Sequence, residues 1–271
     1  MTIRFRNRIT LVFFVLSTIC LALGLIFTGI QIFSGSFTTP QIYEKISSEN
    51  FLLTYRPWCT LAGIFLILLY TCITSLIIFH SFEKTQAPDM AFFLLFLLAC
   101  LCDASRLVVP LMHLSQNYSL LLLKIGNIQL FARLIAPLAL MGTTILSSEE
   151  LKQNTDKNCL ILIITAIFFA EFIPLNTAVI LPNFNISYGY VKPIRLFSFA
   201  VIIMSSIALF ISNRKNDYRQ LMTLGFIMIS LGYTLIFYCF NILVLVSGAF
   251  FLGLGTTFFL NETHRHYLWI D

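Results

Sequence analysis

Apolar blocks long enough to cross a bilayer follow one another along almost the whole chain. That succession limits the fold more than any other feature of the sequence. A helix needs about 20 apolar residues to span the hydrocarbon core. Such blocks cover residues 9–33, 58–80, 90–113, 119–146, 159–181, 194–212, 220–240 and 242–260. The stretch 220–260 is too long for one helix, and Asn241 near its middle is read as a tight turn. Backbone polar groups in hydrocarbon must be bonded internally, which leaves helices or closed barrels. Unbroken blocks of this length select helices. Only 11% of the residues are charged, against roughly 25% in a soluble domain, so the natural solvent of this surface is lipid. The expected fold is all-α, a polytopic transmembrane bundle of about eight spans, one anchor plus seven.

Orientation follows from the basic residues. Arg4, Arg6, Arg8, Lys84, Lys152, Lys157, Arg214, Lys215, Arg219 and Arg265 fall on one side of the alternating spans, and Lys45, Arg56 and Lys192 on the other. Arg106, Lys124, Arg133 and Arg195 lie in spans or at their ends. Both termini are therefore expected in the cytoplasm. Four regions result: a basic segment with the first anchor (1–33), an external loop (34–57), the seven-helix body (58–260) and a short cytoplasmic tail (261–271). The first block resembles a signal peptide in its arginines, yet it is too long and lacks a small-residue cleavage site, so it is expected to stay as an anchor. Tyr43 in the external loop and Trp58 just after it could form an amphipathic segment at the interface.

Several chemistries are not supported. The net charge of +5 is scattered and forms no basic stripe, so nucleic acid is not an expected partner. The seven cysteines sit in or beside apolar blocks and read as small hydrophobes. No G-x-S-x-G, H-E-x-x-H, P-loop or G-x-G-x-x-G occurs. Glu149-Glu150 is similar to the paired glutamates of membrane CAAX-type proteases, but the required arginine is Asn154 here. His80, His113, His264 and His266 form no metal set, and spans five to eight hold no lysine for a retinal Schiff base. No enzyme activity, cofactor or metal is expected.

Two patterns carry more information. Gly225 and Gly232 are seven apart, as are Gly248 and Gly255. A turn near Phe240 brings Gly232 level with Gly248 and Gly225 level with Gly255. Small residues let membrane helices approach closely, so the last two spans are expected to pack as an antiparallel hairpin. The second pattern is charge within spans: Asp103 and Arg106 in span three, Arg133 in span four and Glu171 in span five. Burying each charge costs at least about 2.5–3.5 kcal/mol, so these four should face inward and neutralise one another. Pro110 and His113 extend the Asp103–Arg106 face. Gln129, Thr144 and Pro137 accompany Arg133, and Pro174 and Asn176 follow Glu171. Spans three to five then wall a polar cavity with a basic mouth of His113, Lys124 and Arg195. It is either a site for an anionic or zwitterionic small molecule, or a charge network that sets helix register.

Residues 58–271, with seven spans, a cytoplasmic C-terminus and Tyr267-Leu268-Trp269 after the last span, resemble the seven-helix membrane modules of bacterial sensor proteins. The resemblance implies a ligand-sensing module in a bacterial cytoplasmic membrane. It transfers no binding residues, and the output domain usual in such modules does not follow the last span. A separate cytoplasmic or membrane partner is then expected, docking on Lys152, Lys157, Arg214, Lys215, Arg219 and the tail. Two alternatives stand beside this reading. One is a secondary transporter using Asp103 and Glu171 as ion-linked groups. The other is a structural subunit of a membrane complex.

Overall fold

The computed structural model describes residues 3–35, 55–83, 85, 87–112, 114, 119–144, 155–213 and 220–268. Eight helices run through them: α1 (Ile3–Phe33), α2 (Pro57–Ser81), α3 (Pro88–Asp103), α4 (Ser119–Thr144), α5 (Thr155–Phe172), α6 (Val191–Asn213), α7 (Gln220–Phe237) and α8 (Ile242–Leu268). Seven of the eight are long and apolar enough to cross a membrane. The exception is α5, an 18-residue helix that carries Asp156 and Lys157 in its first turn and Glu171 in its last. The protein is an all-α, multi-pass membrane bundle.

α3 is the central post. Nearly all its side chains from Asp89 to Leu101 are buried, whereas α1, α6 and α8 keep broad apolar faces outward for lipid. Phe93 of α3 stacks on Phe259 of α8 at 5.4 Å, and Phe96 meets the Tyr233 ring of α7 edge-on at 5.5 Å. α4 lies close enough that a Cβ on Gly142 would come within 2.4 Å of the Phe92 ring. Beyond Asp103 the post tightens into a 3-10 turn (Ala104–Leu107) and resumes as one α turn (Val108–Leu111). Pro110 explains the break, since its ring crowds the carbonyl four residues back and it has no N–H to give.

The helix ends define two faces of the bundle. On the terminal face, Arg6 of α1 donates to the carbonyls of Phe82 and Thr85 (2.7 Å to Thr85) just past the end of α2. Cations are favoured at helix C-termini because the last carbonyls lack helical partners. Arg6, Thr10, Ser17, Gly24 and Thr28 form the buried stripe of α1, spaced by fours and sevens so that they share one side. α1 is thus packed into the bundle along a polar and small face. The segment from 261, read from sequence as a free tail, is the last part of α8. There His264 meets the Phe82 ring edge-on at 5.4 Å and Tyr267 donates to Asp89 at 3.3 Å. Trp269 and residues 36–54, with Tyr43, lie outside the described residues.

The opposite face carries the largest departure from expectation. The fifth span, read as 159–181, ends at Phe172. An antiparallel hairpin follows, β1 (Leu175–Ile180) paired with β2 (Ile186–Tyr188). Pro174 disfavours helix for the residue before it and cannot donate a helical hydrogen bond, and Thr177, Val179 and Ile180 suit an extended chain. An apolar count cannot separate such a strand from a helix end. The hairpin's tip is folded into the bundle: Pro182, Asn183, Phe184, Asn185 and Ile186 are all buried. Phe184, at φ +58°, belongs to one buried apolar cluster with Leu61, Ile64 and Leu107. A bulky residue adopts that left-handed backbone at a cost, here offset by burial of the ring.

Candidate functional site

Beneath the hairpin the structure gathers charge in a way the sequence only partly indicates. Asp103 and Arg106 are buried and paired, Arg106 donating through Nη2 to Asp103 Oδ2. The 3-10 turn matters to this contact, because at three residues per turn positions i and i+3 lie over each other. Arg106 also donates through Nε to the Asp103 carbonyl at 3.1 Å and through Nη1 to the Phe237 carbonyl at 3.2 Å. Phe237 is the last residue of α7, so the cation again sits at a helix C-terminus. Asn183 from the hairpin donates to the same carbonyl at 3.2 Å. The ion pair therefore lies near the hairpin end of the bundle, locked to α7 and to the hairpin tip.

Arg133 of α4, 5% exposed, also approaches the Phe237 ring. Its guanidinium carbon is 4.3 Å from the Phe237 centroid and 5.2 Å from that of Tyr238, and Nη2 donates to the Tyr238 hydroxyl at 3.3 Å. The Arg106 guanidinium is 4.9 Å from the same Phe237 centroid. Arg195, at the start of α6 and exposed, places its guanidinium 5.4 Å from the Tyr238 ring. Two aromatic rings at the end of α7 thus hold three guanidinium groups by cation–π contact. Tyr188 of β2 is in the same group. Burial pushes its hydroxyl above the usual tyrosine range, and the neighbouring Arg133 charge offsets part of that shift.

The neutral four-charge network expected from sequence does not form. Glu171 is exposed at the end of α5, where Asn127 donates to it at 2.8 Å, and among the described residues it makes no ion pair with the arginines. The shortened helix is the reason: with α5 ending at Phe172, Glu171 is a terminal residue rather than a mid-span one. Asn176, likewise assigned to a cavity wall, is an exposed residue of β1. What remains among the described residues is three arginines against one carboxylate, assembled from α3, α4, α6, α7 and the hairpin, with α5 absent. Lys124 is exposed on the first turns of α4. His113, the other residue of the expected basic mouth, lies outside the described residues, as do Glu149, Glu150, Lys152, Arg214, Lys215 and Arg219.

A partly open cleft of about 280 Å³, its mouth included, starts at Arg133 and runs along the helices. On α4 it is lined by Arg133, Pro137 and Leu140, which share one side at spacings of four and three. α6 contributes Ser198 and Ile202; α7 contributes Ser230, Tyr233 and Thr234. Two buried donors on this lining, Arg133 Nε and the Tyr233 hydroxyl, have no hydrogen-bond partner among the described residues. Buried polar atoms are normally satisfied, so orphans at a cleft are places where a missing group would bind. Gln129, one turn before Arg133, ties α4 to the hairpin. It accepts from Ile186 N at 2.8 Å and donates to the Phe184 carbonyl at 3.5 Å.

Sequence reasoning did not single out Tyr188, Tyr233, Phe237 or Tyr238 for this site. Phe237-Tyr238 near the end of a span has the look of an ordinary interfacial aromatic pair, and no local signal marks it as an arginine cradle. Away from the site, the glycine stripes of α7 and α8 face each other. A Cβ on Gly225 would come within 2.8 Å of the Gly255 carbonyl, and one on Gly232 within 2.5 Å of Leu252 N and 3.0 Å of the Gly248 carbonyl. On the other side of that pairing, a Cβ on Gly255 would come within 2.8 Å of the Gly225 carbonyl, and one on Gly248 within 2.7 Å of the Ile236 side chain. All seven cysteines are free thiols, and Cys239 donates to the Cys59 carbonyl at 3.3 Å. Among the described residues no cluster of metal-ligating side chains occurs. Comparison with protein-family models, curated proteins and solved structures finds no match.

Proposed function

We propose that this chain is a receptor-type membrane module that binds a small anion-bearing molecule at Arg133 and Arg195 and acts through a separate partner. The supporting observation is the uncompensated charge: three guanidinium groups share the Phe237 and Tyr238 rings, and the one carboxylate near them among the described residues is already held by Arg106. Cations buried without counter-ions in a membrane protein are costly, and they mark functional positions. An anion at Arg133 would relieve that cost. The basic-residue bias puts the hairpin face outside the cell, so the ligand would arrive from there and the terminal face would meet the partner. The transporter reading needed two intramembrane carboxylates to carry ions. Among the described residues Glu171 makes no ion pair with the cluster and Asp103 is committed to Arg106, so we do not favour it.

The test is the thermal stability of purified protein titrated with inorganic phosphate and with acetate at constant ionic strength. A saturable rise in melting temperature, lost in Arg195→Gln, is the expected result. A rise that Arg195→Gln retains in full, or no rise with either anion, sinks the proposal.

A further inference from the structure

The cleft is graded along its length, and the grading bears on what kind of anion fits. At the hairpin end the lining begins with Arg133 and with Ser198, which lies one turn beyond the exposed Arg195 on α6. Deeper in, the walls are Pro137 and Leu140 of α4 and Ile202 of α6. Seven residues separate Arg133 from Leu140, and seven separate Arg195 from Ile202. Each interval is a helical rise of about 10 Å, with the apolar lining residues toward its far end. Neither Ser198 nor Ser230 makes the deep part polar, because each hydroxyl is bonded to a carbonyl of its own helix, at 3.0 Å to Ile194 and 2.8 Å to Ile227. The two unpartnered donors, Arg133 Nε and the Tyr233 hydroxyl, line the same cleft.

We propose that the ligand is an anionic amphiphile: a carboxylate or phosphate head on Arg133 and Tyr233, with Arg195 at the mouth, and a single hydrocarbon chain laid between α4 and α6. The proposal rests on the anion-site reading above and adds the tail. The head would take both orphan donors, and charge-assisted hydrogen bonds from a guanidinium are the stronger kind. The tail would cover Leu140 and Ile202.

The experiment uses the full chain in phosphatidylcholine nanodiscs and a decanoate carrying a diazirine in its tail, with crosslinked residues mapped by mass spectrometry. Labelling is expected at the α4 and α6 peptides that contain Leu140 and Ile202. Unlabelled decanoate should compete, and decanol and acetate at the same concentration should not. Arg133→Gln should cut the labelling tenfold or more. So should Ile202→Trp, which fills the apolar end and leaves the arginines in place, and which decides the matter if Arg133→Gln does not fold. Acetate competing as well as decanoate would overturn the amphiphile and leave the anion site standing. Decanol competing as well as decanoate would overturn the anion site itself. Label spread over the outward-facing Phe199 and Phe250, without competition, would overturn both. Adding phosphatidylglycerol to the nanodiscs separates the two sources of such a ligand. Loss of decanoate labelling identifies the bilayer's own anionic lipid as the occupant, and unchanged labelling identifies a free acid; either supports the proposed chemistry.

Discussion

α7 meets two very different neighbours on its two sides. Toward α8 its backbone is in direct contact with another backbone: Gly225 and Gly232 leave no room even for a methyl group beside Gly255 and Leu252. Toward α4 and α6 the same helix stands back from a cleft and presents Ser230, Tyr233 and Thr234 to it. Helices in lipid gain little from burying apolar side chains, so close approach at small residues is a main source of their association. A seam of that kind is dry and closed. An open, partly polar side gives up that contact and has to be held by something else. Here the hold is at the end of α7, where Arg106 and Asn183 both donate to the Phe237 carbonyl.

The comparison can be broken most severely at that end. Asp103→Ala would leave Arg106 buried without its partner, a change that costs about 3–5 kcal/mol. Unfolding of the purified protein in a denaturing detergent titration should show it. Asp103→Ala combined with Arg106→Met should recover much of the loss, since an apolar pair in place of a buried ion pair is often neutral. A double variant as unstable as the single one would mean the pair does more than neutralise itself.

Next comes the closed side. Gly232→Ala puts a Cβ 2.5 Å from a backbone nitrogen that cannot swing away, and overpacking of this kind costs about 1–3 kcal/mol. On the same helix pair, a Cβ at Gly253 would meet nothing within 4 Å. Gly253→Ala should therefore go the other way, gaining about 0.5–1 kcal/mol of helix preference. Equal effects at the two glycines in the same detergent titration would remove the seam from the account. Gln129→Leu is of similar size to Gly232→Ala. It strips the buried Ile186 N–H of its acceptor, a loss of about 1–3 kcal/mol, and should raise amide exchange in 182–188 before it changes the rest of the protein. The smallest effect is expected on the open side: Ser230→Ala, whose hydroxyl is bonded within its own helix, should fall within about 0.5 kcal/mol of the parent. Two residues from Gly232, it sharpens the contrast between the faces of one helix.

How much of this was legible can be judged residue by residue. Burial of Asp103 and Arg106 follows from the cost of charge in lipid, and their contact from the spacing of three. The seven-residue spacing of the glycines carries the register of α7 against α8. Glu171 misleads, because the apolar run after it counts as membrane helix while Pro174 starts a strand. Once the helix is cut at Phe172, the balance of two acids and two bases disappears, and the cluster changes from neutral to cationic. Nothing local to Phe237 and Tyr238 announces that three arginines will converge on them.

By itself, then, the sequence determined the solvent and the helices, because hydrocarbon leaves a backbone no choice but to bond internally over each apolar block. It also determined which side chains could not face lipid, because the cost of a charge there does not depend on the neighbours. Which neighbours those side chains meet was decided by the tertiary structure alone. The hairpin tip and the turn after α3 are each joined to the end of α7 by single bonds between residues 54 and 131 positions apart. No periodic pattern spans such distances. Packing and hydrogen-bond satisfaction among distant segments select those partners, and with them the cationic end and the apolar depth of the cleft.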